Sequence, residues 1–176
     1  MKSLKQKSAL LIVYLMIVIS DTSCIGYLII IDKLILLKEN FSKIIIPEKV
    51  HKEVLQLSSK YNLNRYLNSR WISSLPITNT HLYKELLNQL DEGEAEAIVL
   101  SQEINADLLL IDERKGTIMA RSLGIKTIGL LGVLLLSKER QLIPSVKPLL
   151  DELMTNTTFR IDKSLYKTVL KQANEQ

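Results

Sequence analysis

Two aspartates occupy equivalent places in the sequence, each directly after a predicted strand. Asp21 follows the strand at 14–20, and Asp112 follows the strand at 107–111. Because the carboxyl ends of parallel strands share one edge of a sheet, where α/β proteins bind ligands, we expect these side chains to lie close together. Neighbouring carboxylates repel each other unless a cation lies between them, and Mg²⁺ or Mn²⁺ prefers oxygen ligands. The two aspartates therefore predict a metal site at this edge.

Two glutamates can join the aspartates at the same edge. Glu53 lies in the helix that follows the predicted strand at 43–46, and Glu94 opens a helix directly after Gly93. The small residues around Glu94 let the backbone approach the sheet closely. Glu96 points about 200° away from Glu94 around the same helix, so we do not expect it to share the pocket.

Each of these acids also has a purely structural interpretation. Asp21 and Asp112 could cap or start the helices that follow them. Glu53 could pair with Lys49 one turn earlier, as is common on exposed helix faces. Glu94 is three residues after Asp91, the spacing of a capping box. The residues alone leave both interpretations open at each position.

The elements that must position these acids alternate between apolar runs and helical patterns, which is typical of repeated βα units. The chain has 176 residues, of which 47% are hydrophobic and 5% aromatic, and this length suits one domain. We predict a single α/β domain in which a central parallel sheet lies between helices, a Rossmann-like three-layer arrangement. We divide it into an N-terminal extension with the start of the first strand (1–15), a catalytic core (16–140) and a C-terminal helical extension (141–176).

The sequence indicates where these elements lie. Strands are expected at 14–20, 43–46, 107–111, 126–128 and 159–161, with a small strand or loop near Trp71 and Ile72. One or two helical turns are expected within 24–37. Further helices are expected at about 47–58, 81–90, 94–104, 113–123, 129–137, 145–154 and from 162 onward, and a short helix is expected between residue 60 and Trp71.

The composition argues against several classes of protein. Cys24 is the single cysteine and His51 and His81 are the only histidines, so a zinc site of Cys and His ligands within one chain is excluded. The apolar run at 9–19 after several lysines resembles a signal peptide. It is shorter than the roughly 20 residues that span a bilayer, and no Ala-x-Ala cleavage site follows. We therefore expect a cytoplasmic protein with no membrane segment. The net charge of +4 fits a polyanionic partner and equally an ordinary soluble protein.

Several motifs, taken in order, resemble the PIN-domain family over nearly the whole chain from about Val18. More narrowly, they resemble a PIN-like branch of uncharacterised bacterial and archaeal proteins related to VapC-type toxins. The motifs are Val18-Ile19-Ser20-Asp21-Thr22-Ser23, Ile44-Ile45-Ile46-Pro47 with Glu53 following, Asp91-Glu92-Gly93-Glu94-Ala95-Glu96-Ala97-Ile98, 106–115, 129–134 and 142–150.

This resemblance implies a site in which four acids hold one or two Mg²⁺ or Mn²⁺ ions that activate water for hydrolysis of RNA phosphodiesters. The implied catalytic and metal-binding acids are Asp21, Glu53, Glu94 and Asp112. Further implied metal contacts are Glu113 and the hydroxyl group of Thr22 or Ser23. Arg114 and Lys115 would bind RNA phosphate. The resemblance also implies a toxin that binds a small antitoxin protein and forms a homodimer.

The sequence departs from VapC-type toxins, which usually carry Asp where Glu94 stands and another acid where Arg114 stands.

Three alternative functions remain for this sequence. The first is a catalytically weak PIN-like module that binds RNA or protein. The second is a phosphotransfer protein with Asp21 as phosphoacceptor, although Ser23 stands where a related phosphatase would have a second Asp. The third is an exported or membrane-anchored protein.

Overall fold

The structure, a computed structural model, describes residues 16–175, and its centre is a sheet of five parallel strands. The strands are β1 (Val18–Ser20), β2 (Ile44–Pro47), β3 (Ile72–Leu75), β4 (Leu108–Leu110) and β5 (Thr127–Ile128). The first five helices are α1 (Thr22–Ile30), α2 (Ile35–Phe41), α3 (Glu48–Gln56), α4 (Asn64–Leu67) and α5 (Thr80–Leu86). The other five are α6 (Glu92–Glu103), α7 (Arg114–Ser122), α8 (Leu130–Glu139), α9 (Lys147–Asn156) and α10 (Lys163–Gln172).

The strand order is β3-β2-β1-β4-β5, so the direction of the winding reverses between β1 and β4. In open α/β sheets, ligands bind in the crevice outside the carboxyl ends of the strands at such a reversal. Ser20 pairs with Leu110, and the backbone N–H of Asp21 donates to the carbonyl of Leu110 at 2.9 Å. The two strands therefore end level with each other, and Asp21 and Asp112 both leave the sheet at the reversal point.

Two buried clusters cover the two faces of the sheet, which gives the three layers that the sequence predicts. Successive residues of β1 face opposite sides, so that Val18 belongs to one cluster and Ile19 to the other. The first cluster includes side chains from α1, α2, α3, α8, α9 and α10, and the second is built mainly on α6. The predicted fold class, a single α/β domain with a central parallel sheet, is confirmed.

Two local expectations need correction. The region 24–37 holds parts of two separate helices, α1 and α2, which a turn at 31–34 divides. The strand predicted at 159–161 is wrong, because this segment lies outside the sheet. Its apolar pattern instead reflects packing: Phe159 is 5% exposed, and its ring meets the ring of Tyr27 edge-on with the centroids 5.4 Å apart. The start of the first predicted strand, at 14 and 15, lies outside the described residues.

The carboxylate of Glu175, which follows α10, connects the end of the described chain to the start of α9. It accepts hydrogen bonds from Ser145 Oγ at 2.6 Å and from the backbone N–H groups of Val146 and Lys147 at 2.6 and 2.8 Å. Burial raises the pKa of Glu175, but these hydrogen bonds outweigh it and hold the pKa at about 2. The carboxylate therefore satisfies backbone donors at the start of α9, which otherwise lack partners.

Within residues 16–175, no helix is long and apolar enough to cross a membrane. The proposed division of the chain at residues 15 and 140 stays a prediction, and the extension at 1–15 lies outside the described residues.

Candidate metal centre

An open cavity of about 420 Å³ lies at the carboxyl edge of the sheet. All four acids that the sequence singles out line it, although they come from four separate parts of the chain. The full lining is Asp21, Thr22, Ser23, Tyr27, Glu53, Asp91, Glu94, Asp112 and Glu113. The fold thus brings the predicted acids together, and their roles in metal binding and catalysis stay a prediction.

Asp21 lies at the bottom of this cavity and is only 2% exposed. Its Oδ1 accepts from the backbone N–H of Cys24 at 3.1 Å, and its Oδ2 accepts from Ser23 Oγ at 2.6 Å. Asp21 therefore caps α1, and the same carboxylate also faces the cavity. Burial raises the pKa of Asp21 to about 7, and the charge of Asp112 adds a smaller increase. The hydrogen bonds from Ser23 and Cys24 lower the pKa but do not cancel the effect of burial.

Asp112 is held from the opposite side of the reversal point. It does not cap α7, whose N-cap residue is Glu113; instead its Oδ1 accepts from the backbone N–H of Leu130 at 3.0 Å, at the start of α8. Burial raises the pKa of Asp112, while the hydrogen bond from Leu130 opposes that effect. Gly129 permits this contact, because a Cβ at that position would lie 2.7 Å from Asp112 Oδ1.

This close approach yields a testable expectation for Gly129→Ala. The new methyl group should displace the Asp112 carboxylate, lower the affinity for Mn²⁺ and cost about 1–3 kcal/mol of unfolding free energy. Calorimetric Mn²⁺ titration and thermal unfolding would measure both effects. Gly26→Ala is the matched control, because a Cβ there meets only Leu57 Cδ1 at an ordinary 3.6 Å. Unchanged Mn²⁺ affinity in Gly129→Ala would show that the position of Asp112 does not matter to the site.

Glu94 is 5% exposed, and its Oε1 is a buried atom without a hydrogen-bond partner. Asp91 caps α6 by accepting from the backbone N–H of Glu94 at 2.8 Å, as the capping-box spacing suggests. Burial raises the pKa of Glu94 to about 7, and the charges of Asp91, Glu113 and Asp21 add to the increase. The capping interaction uses the backbone of Glu94, so it leaves the side chain available to the cavity.

Glu53 differs from the other acids because its charge is already compensated. Its Oε2 accepts a hydrogen bond from Thr22 Oγ1, and its Oε1 lies 3.8 Å from the Nζ atom of Lys49, which also pairs with Glu92. The side chain is 25% exposed, which places it at the rim of the cavity. Glu96 accepts from the backbone N–H of Lys49 at 3.0 Å, so it lies apart from Glu94, as predicted.

The remaining predicted contacts divide into two groups. Glu113, Thr22 and Ser23 line the cavity, whereas Arg114 and Lys115 are exposed in the first turn of α7 and lie outside its lining. Two lining residues were missing from the sequence prediction. The capping-box spacing accounts for Asp91 without placing it in the cavity, and the signal for Tyr27 is that it lies four residues after Ser23, on the same face of a helix.

The donor set fits a hard divalent cation. Every charged group that lines the cavity is a carboxylate, and Asp91, Glu94 and Glu113 each offer one ligand atom within 4.8 Å of the other two. The buried Glu94 Oε1 has a free lone pair in this region. Oxygen ligands in this number suit Mg²⁺, Mn²⁺ or Ca²⁺ rather than softer metals.

Comparisons with known proteins give the family of the chain. The family model for the PIN domain matches residues 17–175. Among solved structures, the chain is similar to a PilT N-terminus domain protein from the hyperthermophilic archaeon Sulfolobus solfataricus P2, with 18% identity and a TM-score of 0.47 over 83% of this chain and 100% of that one. A search of curated proteins found no match. The family match spans most of the sequence, and the chain therefore belongs to the PIN domain family, whose members are typically nucleases.

Proposed function

We propose that this protein is a ribonuclease that depends on Mg²⁺ or Mn²⁺ and acts as the toxin of a toxin–antitoxin pair. The observation that carries the proposal is the convergence of Asp21, Glu94 and Asp112 on one cavity at the reversal point of the sheet. Burying ionised carboxylates together is costly unless a cation compensates them. Among the described residues, the recorded ion pairs include Glu53 but none of these three acids.

The chain holds these ligands in place before a cation arrives. Asp21 is oriented by Ser23 and the N–H of Cys24, and Asp112 is oriented by the N–H of Leu130. When bound, a divalent cation lowers the pKa of a coordinated water and compensates negative charge on a phosphodiester. Hydrogen bonds such as those from Ser23, Cys24 and Leu130, whose donors do not themselves contact the metal, orient metal ligands and commonly affect the affinity for the metal.

Support for RNA as the substrate comes from the resemblance of the motifs to VapC-type toxins and from the charges near the cavity. Arg114 and Lys115 are exposed directly after Asp112 and Glu113, where they could bind phosphates of a strand that enters the cavity. We propose this contact for both residues. It would hold a polyanion against a cavity whose own charge is negative. The cytoplasm is the proposed location.

A second candidate function rests on the contacts of Glu53. Because Thr22 and Lys49 already engage both of its carboxylate oxygens, Glu53 is less free to bind a cation than the other three acids. This observation favours a module of the same fold that binds RNA or protein and cleaves RNA weakly. The two functions differ in turnover rather than in the fold or the location of the site.

The test is cleavage of end-labelled single-stranded RNA, hairpin RNA and single-stranded DNA by the purified protein. We expect cleavage of RNA with Mg²⁺ or Mn²⁺, its loss with EDTA and its return when the cation is restored. Cleavage of DNA alone would contradict the choice of substrate. If the folded protein binds Mn²⁺ and leaves every RNA intact, the binding module is the better description.

The proposed partners require separate measurements. We propose that the chain forms a homodimer and binds a small antitoxin. Sedimentation at several concentrations tests the dimer, and a single monomeric species throughout would contradict it. Purification of the tagged protein from its native cells tests the antitoxin: a small protein should copurify, and adding it should suppress cleavage.

A further inference from the structure

We propose that a groove at the amino edge of the sheet binds one nucleotide unit of single-stranded RNA, with basic side chains on the phosphate and Trp71 on the base. The groove has a volume of about 350 Å³ and lies where α2, α4 and the segment before β3 meet. We call it the basic groove and define it by Lys38, Arg65, Arg70 and Trp71. This inference goes beyond the proposed function, because binding here needs neither a cation nor cleavage; only the choice of RNA over DNA rests on that function.

The basic groove is separate from the acid-lined cavity. Trp71 directly precedes β3, and its carbonyl accepts from the backbone N–H of Ile44, the first residue of β2, at 2.9 Å. Because β2 and β3 are parallel, the groove lies at their amino ends, whereas the acids lie at the carboxyl edge. The length of β3 alone spans about 10 Å, at roughly 3.3 Å per residue. The linings of the groove and of the cavity share no residue.

The charge of the groove favours an anion. Lys38 in α2, Arg65 in α4 and Arg70 before β3 come together there, and all three are exposed. Among the described residues that line the groove, none is acidic. The ion pairs recorded for residues 16–175 engage only Arg65 of these three, with Asp32 at 2.9 Å. Both partners of that pair are more than half exposed, so it offsets little of the positive charge.

Trp71 distinguishes nucleic acid from other anions. Its side chain packs partly against the first buried cluster and also lines the groove, so the indole ring is held in place beside the basic groups. Aromatic rings next to basic side chains bind single-stranded nucleic acids, because the ring stacks on a base while the cations contact phosphate. An acidic peptide would use the charges of the groove but has no base to stack on the indole. In a duplex the base faces are already stacked, so a single strand is the form that fits.

The size of the groove limits the ligand to a short unit. Its volume of about 350 Å³ is near the lower end of the roughly 300–1,000 Å³ that small-molecule sites occupy. One base with its phosphate therefore fills the groove, and the rest of the strand lies outside it. Stacking and phosphate contacts read little sequence, so we expect binding with weak base preference and strong dependence on salt.

The test uses the fluorescence of Trp71, which is the single tryptophan of the chain and so reports on the groove directly. The purified protein is titrated with an eight-residue oligouridylate in EDTA, which prevents metal-dependent cleavage, at several salt concentrations. We expect a saturable change in fluorescence. The logarithm of the binding constant should fall against the logarithm of the salt concentration with a slope of about −2, since each of three phosphate contacts contributes about −0.7 on a single strand.

Three variants separate the contacts from a general loss of charge. Arg65→Gln and Arg70→Gln lie at exposed positions, and each should weaken binding and reduce the salt slope by about 0.7, a change that a merely structural role would not produce. Trp71→Leu, measured by the anisotropy of a labelled oligouridylate, should weaken binding by about 5-fold or more. Lys126→Gln is the matched control, because it removes one exposed positive charge outside the groove, directly before β5, and should leave the affinity and the slope unchanged.

The outcomes keep this inference distinct from the proposed ribonuclease. No saturable fluorescence change with RNA, or equal effects of Arg65→Gln, Arg70→Gln and Lys126→Gln, would overturn the RNA site in the groove. An eight-residue polyglutamate that binds at Trp71 as tightly as RNA would overturn RNA as the ligand in favour of an acidic protein segment. RNA binding at Trp71 by a protein that cleaves no RNA with Mn²⁺ would contradict the ribonuclease and support the groove.

Discussion

Replacing Asp21 with Asn should abolish metal-dependent cleavage of RNA and at the same time raise the stability of the metal-free protein at pH 8. The substitution keeps the shape of the side chain, and the amide oxygen can still accept from the N–H of Cys24. The substitution removes the negative charge of a side chain that is only 2% exposed to solvent. Activity and stability should therefore change in opposite directions.

The expected loss of activity follows from the proposed role of Asp21 as a direct metal ligand. Changes to groups that only orient a metal ligand typically cost ~10–100-fold in affinity or activity, so loss of a ligand should cost roughly 100-fold or more. The gain in stability follows from removal of a carboxylate that burial disfavours in its ionised form. Cleavage rates with Mn²⁺ and unfolding curves in EDTA would measure the two effects.

The matched control for Asp21→Asn is Asp107→Asn at the opposite end of the sheet. Asp107 is exposed and accepts from the backbone N–H of Ile17 at 2.8 Å, a hydrogen bond that Asn can also accept. We expect that variant to cleave RNA normally and to keep the pH dependence of the unaltered protein. Full activity of Asp21→Asn would rule out the proposed site, and reduced stability at pH 8 would show that the ionised Asp21 is well accommodated.

The residues that the sequence could place are those whose position follows from strand order. Asp21 and Asp112 end neighbouring parallel strands, and the register of Ser20 against Leu110 brings them together as expected. Glu53 and Glu94 reach the same edge because the helices that carry them pack next to β1 and β2. Strand order predicts the position of the two aspartates, whereas the choice of Glu53 and Glu94 as the other two acids of the site came from the resemblance to the PIN-domain family.

The residues that the sequence could not place depend on tertiary contacts. The hydrogen bond from Thr22 to Glu53 depends on how α1 packs against α3, whereas the pair of Glu53 with Lys49 lies within α3 and is predicted from the spacing of the two residues. The prediction treated capping and metal binding as rivals, but one carboxylate does both when its two oxygens face different ways. Asp21 caps α1 and lines the cavity, and Asp91 caps α6 and lines it too. The prediction of a strand at 159–161 is wrong for a related reason. Phe159 is buried because it packs on Tyr27, and it does not pair with any strand.

The metal-free protein should lose stability as the pH rises from about 5 to 8, and Mn²⁺ should restore it mainly at the upper end of this range. Burial, aided by neighbouring charges, raises the pKa of both Asp21 and Glu94 to about 7, from ordinary values of 3.8 and 4.5. The folded protein therefore holds protons that the unfolded chain releases. Stability from these groups is complete below about pH 4 and declines until the pH passes about 7.

The size of this effect can be bounded from Asp21 alone, the more deeply buried of the two acids. A pKa of about 7 against 3.8 corresponds to about 4 kcal/mol at most, on the order of 10 °C in melting temperature for a domain of this length. Glu175 acts in the opposite direction, because its pKa is lowered from 4.5 to about 2 and its stabilising contribution is lost only as the pH falls below about 4.5. From pH 5 to 8 that contribution is complete and constant, so it does not alter the expected trend.

Thermal unfolding at pH 5.5, 7 and 8.5, each with EDTA or with Mn²⁺, measures this dependence. In EDTA the melting temperature should fall with pH, because the ionised carboxylates are buried without a counter-charge. Mn²⁺ should raise it little at pH 5.5, where protons compete for the ligands, and strongly at pH 8.5. Asp21→Asn should flatten the fall in EDTA, while Asp107→Asn should keep it. A melting temperature in EDTA that rises steadily from pH 5.5 to 8.5 would mean that the cavity stabilises its carboxylates without a cation, and the case for a metal centre would fail.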